Sequence, residues 1–553
     1  MNPQSLRKTL QLYYHTLKPL RPHQIYERLW AYCKRRFHLY ERLRVPEAVN
    51  GRLLHRTSLL CHDSWNSSEG IRAGTFVFLN QPAELGWPVR WDKAARLPLL
   101  WKFNLHYFHF LHLLTVPEQE YLCLDWVKTF PQNKGEAWHP YPTSLRIVEW
   151  IKSEPKHPAI QRSIYEQAAY LSKNLETYHP GNHLLENAQA LIFAGLYFSG
   201  DPQASQWLKA GIAIITKQTP AQVLQDGGYF ERSTMYYSLM LELYLNLLNV
   251  LPLDGQFRPL VEDTARKMLS FLQSTLHPDG QLALFNDSTL EIAPPPPALV
   301  DYADRLGIQP GPRRNSFPDS GYFVMQDSDL FAIVDCGPIG PDHLPAHSHA
   351  DIFSFELSLG CEHFVTDTGV YEYAAGARRD YCRSTAAHNT LEIDGLSQAE
   401  AWSSFRVARR FKPENVEFIE DASGARLSGD FAGWGQLLGE RLVHQRSFEF
   451  LPGRGQLTVK DRVDRSGQHQ LVSRIHLAPG CQVEITPVGC SIRKGDWLLE
   501  MASNLPPSVE ESPFYPRFGT EIPRPVLVFR STSSVDFRLE IAMTWKKETV
   551  LRG

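Results

Sequence analysis

Between Leu97 and Leu306 the apolar residues recur at helical spacing. "SLRIVEWI", "IYEQAAYLSKNLETY", "ENAQALIFAGLYF", "ASQWLKAGIAIITKQ", "MYYSLMLELYLNLLNVL" and "VEDTARKMLSFLQSTL" follow one another, separated by Pro, Gly and Asp turns. Several are apolar on more than one face, which predicts helices stacked in two concentric layers rather than one surface layer. The run "IAPPPPALV" closes this region as a segment that neither a helix nor a central strand absorbs. From about Ser320 the period falls to two. "GYFVMQDSDLFAIVDC", "FSFELSLGCEHFVTD", "RSFEFLPGRGQLTVKDRV" and "VLVFRSTSSVDFRLEIAMTW" alternate between turn residues, the mark of antiparallel sheets in a sandwich. Residues 1–95 mix short helical pieces with loops. There "YERLWAYCKRRFHLYERLR" has a helical period and a basic centre, read as a solvated helix face, with a polyanion or membrane contact as the other reading. The expected organisation is α+β and multidomain: an extension over 1–95, a helical domain over 96–315 and a β-sandwich over 316–553. Beyond the helical hairpins, no fixed-period repeat stands out.

Composition narrows the partners. The chain has 553 residues, more than one hydrophobic core serves. Hydrophobic residues make up 43% and charged residues 21%, a normal soluble balance. A formal net charge of −3 argues against a nucleic-acid protein. Aromatic residues reach 12%, many close to His, Asn and Arg, a mixture that lines carbohydrate grooves and also fills helical cores. None of the eight cysteines forms a C-x-x-C pair, which excludes a zinc ribbon and a thioredoxin-type motif. Scattered thiols suit a reducing compartment. The first residues, "MNPQSLRKTLQLYYHTLKPLRPHQ", show no signal peptide, and no run is long enough to span a bilayer. The expected location is the cytoplasm, or the periplasm if the true start differs. The oligomeric state is left open.

Three short stretches carry candidate chemistry. "PAHSHAD" opens into "IFSFELSLG", and on a strand His347, His349 and Asp351 share one face, a row able to hold a metal. "VTDTG" adds Asp367, and "RSTAAHNTLEIDG" adds His388 at the start of another strand. Two histidines and one carboxylate leave a tetrahedral metal one open position, as zinc prefers. In "HPGNHLLENAQALIFAG", Pro180 and Gly181 place Asn182 at a helix N-terminus. Asn182 with Glu186, and His183 with Asn187, then make a polar strip where an anionic group is favoured. Simple capping is the alternative. In "QDGGYFERSTMYYSLMLELY", a tight turn precedes a helix carrying Glu231, Tyr236 and Tyr237. Neighbouring helical residues point about 100° apart, so at most one tyrosine faces a given site.

Taken in order, "NHLLEN", "DGGYFERSTMYYS", "AHSHADIFSFELSLG", "VTDTGVYEY" and "RRDYCRSTAAHNTLEIDGLSQ" resemble the heparinase II/III-like polysaccharide lyases. The resemblance runs from about Trp101 to Gln398. It implies an incomplete α/α toroid followed by an antiparallel β-sandwich, and a lyase acting on an acidic, uronate-containing polysaccharide. Such an enzyme removes the C5 proton α to a carboxylate, so it must neutralise that carboxylate and stabilise the enolate-like intermediate. A base takes the proton and an acid protonates the leaving oxygen. The resemblance places Asn182 and His183 at the carboxylate, Tyr236 as the proton-transfer residue and His347 as a partner base. It implies a structural divalent metal, zinc, on His349, Asp367 and His388, with Asp351 orienting its neighbours. Glu186 and Asn187, together with Arg378, Arg379 and Arg383, are the substrate-binding candidates. Arginine pairs bidentately with planar anions, and at least one of the three is expected as a structural partner. Two other readings stand beside the lyase. One is a catalytically silent polysaccharide-binding or exopolysaccharide-assembly protein. The other is a hydrolase using Glu186 or Glu231 with a second carboxylate, for which no acid pair has its own motif.

Overall fold

The computed structural model describes residues 3–37, 43, 45–131, 135–465, 468–533 and 537–548. Helices α1 (Pro3–Leu17) and α2 (Pro22–Arg36) form an N-terminal arm. The basic segment predicted as helical is covered by α2 up to Arg36; residues 38–42 and 44 lie outside the described residues. A short helix, α3 (Ser68–Arg72), and a hairpin of Thr75–Phe78 with Gln81–Glu84 lead into the helical domain.

That domain is an incomplete α/α toroid. It runs through α4 (Leu99–Tyr107), α5 (Val116–Thr129), α6 (Pro140–Lys152), α7 (Pro158–Ser172), α8 (Asn182–Tyr197) and α9 (Pro202–Gln222). It closes with α10 (Thr234–Val250), α11 (Arg258–Thr275) and α12 (Pro296–Arg305). Several of these helices start on a proline whose missing N–H costs nothing in the first turn, with a side chain closing the end. Asp201 accepts from the Ala204 amide at 2.9 Å ahead of α9, and Ser233 accepts from the Tyr236 amide at 3.2 Å ahead of α10. Helices α8 and α10 are buried along nearly their whole length, which makes them the inner layer that their apolar faces predict. A Cβ on Gly211 would fall 2.7 Å from the Ala188 carbonyl, so glycine is what lets α9 lie against α8. The proline run differs from expectation. Pro295 is the N-cap of α12, and Pro296 and Pro297 occupy its first turn, the one part of a helix that accepts proline.

The β domain is antiparallel throughout its named strands. A five-stranded sheet runs Ser316–Phe317, Tyr322–Gln326, Leu330–Asp335, Phe355–Leu359 and Glu362–Val365 in sequence order. An eight-stranded sheet and a four-stranded sheet complete the sandwich. Phe317, Tyr322, Val324, Phe331 and Ile333 belong to the core of the toroid, whereas their strand neighbours Phe323, Met325 and Val334 belong to the core of the sandwich. Period-two alternation thus presses one sheet between two cores and fixes the domains against each other. All eight cysteines are free thiols. Among the described residues, no helix is long and apolar enough to cross a membrane.

The arm bridges both domains. Trp402 Nε1 donates to Thr16 Oγ1 at 3.0 Å, Gln24 Nε2 donates to the His343 carbonyl at 3.1 Å, and Lys34 Nζ donates to the Lys173 carbonyl at 3.1 Å. It lies along one side of the cleft that separates toroid from sandwich.

Candidate active site

The cleft has a volume of about 1230 Å³ and is lined from both domains. On the toroid wall, Pro180 and Gly181 turn the chain into α8. A Cβ on Gly181 would lie 2.6 Å from Leu344 and 2.9 Å from Glu231, so only glycine fits there. Asn182 and His183 follow at the helix start and line the cleft. Asn182 Oδ1 accepts from the His183 amide at 2.9 Å. His183 lies over Tyr141, ring centroids 4.0 Å apart, and its Nδ1 is 3.0 Å from Glu176 Oε1. Burial opposes ionisation of Glu176, but His183 outweighs it and the carboxyl is held down to about 2. As a carboxylate Glu176 accepts, so His183 Nδ1 carries the proton toward it.

The sandwich wall is built on residues 345–351, and here the expectation of a strand is not met. The strand begins only at Phe355. Before it, the loop amides are taken by side chains instead of a ladder. His349 N donates to Asn286 Oδ1 at 2.9 Å and Ile352 N donates to Gln398 Oε1 at 2.8 Å, while Phe353 sits in the left-handed region. Side chains on such a loop do not alternate by strand geometry. Even so, His347 and His349 converge on one residue, Asp287: His347 Nδ1 is 2.9 Å from Oδ2 and His349 Nε2 is 2.8 Å from Oδ1. Arg379 grips the same carboxylate through both guanidinium nitrogens. Burial favours a neutral acid, yet Arg379 and the two histidines hold Asp287 well below the usual carboxylate range. Asp287 therefore accepts from both imidazoles, which fixes their tautomers. His347 keeps Nε2 for the cleft it lines. Burial lowers its pKa against the pull of Asp287, so it is a neutral imidazole.

Tyr236 closes the constellation. It lines the cleft, its ring centroid lies 4.0 Å from that of His347, and its hydroxyl is 3.2 Å from the Tyr373 hydroxyl. Burial and Tyr373 push the phenol well above its ordinary pKa, so it is a proton donor at rest. Tyr237 points the other way and donates to the Met268 carbonyl inside the toroid.

Behind His347 lies a dry set of metal-type donors. Ligand atoms of His349, Asp351 and His388 lie within 4.8 Å of one another. With Nε2 of His349 committed to Asp287 and Nδ1 of His388 committed to Asp367 at 2.8 Å, the remaining nitrogens are His349 Nδ1 and His388 Nε2. Both are buried without a hydrogen-bond partner. Two bare lone pairs beside a buried carboxylate fit a cation and fit little else. The ligand set differs from expectation in one member. Asp351 stands with the histidines, whereas Asp367 is spent on His388 Nδ1, Ser354 Oγ at 2.9 Å and the Thr368 amide at 2.6 Å, which orients the ligand.

Other expectations are corrected by position. None of the three arginines lines the cleft. Arg379 is the counter-charge of Asp287, Arg383 donates to the carbonyls of Ser348, Ser403 and Ser404, and exposed Arg378 pairs with Glu521 at 3.0 Å. The cleft-lining cations are Arg28, Lys152 and Arg406. Asn187 is fully buried and ties the Glu176 amide to Ser144, so it is a positioning residue. Glu186 does line the cleft, where burial and Glu242 push it up to about 8. Glu231, the other candidate acid of the hydrolase reading, is buried off the cleft wall. Asp287, Glu176 and Tyr373 are the residues that motif reading missed. Asp287 sits in "FNDST", which reads as a turn and nothing more.

A toroid docked on a sandwich, with a histidine–carboxylate centre under the cleft between them, defines a class of two-domain proteins. Two family models match this chain: the heparinase II/III N-terminus over residues 157–293, and the heparinase II/III-like C-terminal domain over residues 309–543. The chain belongs to the heparinase II/III-like family. It is similar to a heparin-sulfate lyase of Bacteroides stercoris, 26% identical over 351 residues that cover 56% of this chain and 51% of that protein. It is also similar to FtsZ-localized protein C of Caulobacter vibrioides, 27% identical over 343 residues, covering 58% and 57%. The chain thus spans about half the length of the curated relatives it matches. Among solved structures, a crystal structure of Heparinase III aligns with a TM-score of 0.69 at 15% identity, covering 94% of this chain and 90% of that one. A heparan sulfate lyase HepC mutant from Pedobacter heparinus aligns with a TM-score of 0.61 at 19% identity, covering 87% and 82%. At this identity the likeness establishes the fold.

Proposed function

We propose that this protein is a polysaccharide lyase that cleaves an acidic, uronate-containing polysaccharide by β-elimination and leaves a 4,5-unsaturated uronate at the new end. The observation that carries the reading is Tyr236 packed on His347, itself fixed by Asp287, at the wall of a cleft that also holds Asn182 and His183. Asn182 and His183 receive the uronate carboxylate at the start of α8, where amide donors and the helix dipole favour an anion. Neutralising that carboxylate makes the C5 proton removable. Tyr236 delivers a proton to the leaving O4, since a phenol held well above its normal pKa arrives protonated. When the C5 proton lies opposite the leaving oxygen, His347 Nε2 takes it. When both lie on one side, Tyr236 first gives its proton to the neighbouring His347, then as phenolate takes the C5 proton and passes it to the leaving O4.

The cation expected of the family, zinc, would be held by His349 Nδ1, His388 Nε2 and Asp351, and when bound it supplies the positive charge that pins the loop carrying His347. The elimination itself is carried by the chain's own side chains. The substrate class is supported by the names of the heparin-sulfate lyase relatives and by Arg28 and Arg406 on the cleft wall.

A second reading is favoured by one relative, the FtsZ-localized protein C, whose name states a location and no reaction. On that reading the cleft binds polysaccharide without cutting it. Incubation with a panel of uronate polymers, followed by ultraviolet absorbance of the unsaturated product, separates the two. Absorbance that rises with one polymer supports the lyase. Saturable binding without any absorbance change on every polymer supports the silent scaffold.

A further inference from the structure

The N-terminal arm carries a feature that the cleft chemistry does not use. Of the 21 large hydrophobic side chains exposed in the described residues, 11 fall between Leu6 and Phe37. They are ordered. On α1, Leu6, Leu10, Tyr14 and Leu17 recur every three or four residues, 48%, 60%, 60% and 48% exposed. On α2, Tyr26 and Trp30 are one turn apart, 70% and 49% exposed. This is an amphipathic stripe with its apolar side turned to solvent, the reverse of what a folded domain does with such a pattern. Leu6, Leu10, Tyr14, Tyr26 and Trp30 are not part of the cleft wall, so substrate does not cover them.

The charge around the stripe says what does. Residues 1–37 hold eight Lys and Arg and one acidic residue, Glu27, in a chain whose formal net charge is −3. Arg7, Lys8, Lys18 and Arg21 are exposed on the same arm as the apolar stripe and outside the cleft wall. The molecule is therefore polarised, basic on the arm and acidic elsewhere. We propose that α1 and α2 lie on the surface of an anionic lipid bilayer and hold the mouth of the cleft against it. Leu6 and Leu10 enter the acyl boundary, Tyr14, Tyr26 and Trp30 sit at headgroup depth, and the basic side chains extend to the phosphates. An acidic polysaccharide in the cleft reaches Leu17, Ile25 and Leu29, which line it, but it offers nothing to Leu6, Leu10, Tyr14, Tyr26 and Trp30 outside it. A second copy of the chain would cover the aliphatic stripe but set two basic arms face to face. Only an anionic membrane satisfies both features. The helices are fifteen residues each, which suits lying in the interface and not crossing it. The proposal goes beyond the lyase reading and stands or falls without it.

The test is co-sedimentation of the full chain with vesicles of phosphatidylcholine alone and of an equimolar phosphatidylcholine–phosphatidylglycerol mixture. Binding to the anionic vesicles is expected to be at least about tenfold tighter than to the neutral ones and to weaken as salt rises. The double substitution Leu10→Asp, Trp30→Asp is expected to abolish it while leaving the melting temperature unchanged, since both side chains are exposed and outside the cleft wall. The proposal is overturned by equal or absent binding to the two vesicle types, or by binding that survives the double substitution. It is equally overturned if light scattering shows a dimer in solution that the same substitutions disperse, which would assign the face to a second copy.

Discussion

The two walls of the cleft solve opposite problems. On the toroid wall, His183 stays partly exposed, leans on Tyr141 and keeps one ion pair, with Glu176. On the sandwich wall, Asp287, Arg379, His347 and His349 form one buried cluster, and Asp287 and Arg379 are fully out of water. The first arrangement opens to water through His183, with Glu176 and Asn182 buried behind it. In the second, any removal strands a charge where water does not reach. On the proposed reading, substrate recognition sits on the wall that opens to water and proton transfer on the fully buried one.

The comparison is broken or sharpened by substitutions on each side. Asp287→Ala carries the largest expected effect. It leaves Arg379 unpaired in the interior and is expected to cost about 3–5 kcal/mol of stability, read by denaturant unfolding, together with loss of elimination. A stable Asp287→Ala protein would show that the sandwich wall is not the rigid one. Next, Tyr236→Phe is expected to end elimination while binding and melting temperature persist, and Tyr237→Phe to keep elimination. If Tyr237→Phe is the dead variant, the helix register at the site is misread.

The metal set gives a graded contrast. Elemental analysis is expected to find no bound zinc in Asp351→Ala or His349→Ala. Asp367→Asn should weaken zinc only about 10–100-fold, the effect of removing an orienting carboxylate. Complete loss in Asp367→Asn with retention in Asp351→Ala would return Asp367 to the ligand set. On the toroid wall, Asn182→Ala is expected to raise the barrier to turnover by about 2.7–4 kcal/mol, the scale of one lost oxyanion donor, and to cost less than that in stability although Asn182 is buried. Equal losses of stability and activity would instead mark Asn182 as a helix cap.

The smallest effect is a pH dependence. Glu176 has its folded pKa lowered to about 2 from 4.5, so its contribution is fully present above the unfolded value and is lost as pH falls toward 2. That contribution is about 3 kcal/mol. Glu176→Gln is expected to flatten the acid limb of the stability curve between these values, and an unchanged limb would remove the ion pair from the account.

The division into toroid and sandwich was legible because it rests on a change of period, from 3.6 to 2, that each segment displays locally. The Asn182–His183 corner was legible for the same reason, since Pro180 and Gly181 announce a helix start. The sandwich wall was not. "HSHAD" has strand periodicity, but Asn286 and Gln398 capture its amides, and both come from distant parts of the chain. Asp287 looks like a turn residue until Arg379, His347 and His349 close around it. The arginines invited a substrate role because their charge is visible in sequence, whereas the buried carboxylate that claims Arg379 is not. What short-range pattern cannot show is which side chain satisfies which buried partner, and this site is made of such pairings.

The central claim is elimination at this cleft, and the mass of the product tests it most directly. A polymer that the protein degrades would be digested in water labelled with heavy oxygen and the oligosaccharide ends read by mass spectrometry. The account predicts new non-reducing ends that lack the elements of water and carry no label, formed by the wild-type protein and not by Tyr236→Phe. Saturated non-reducing ends, or cleavage that continues unchanged in Tyr236→Phe, would contradict it.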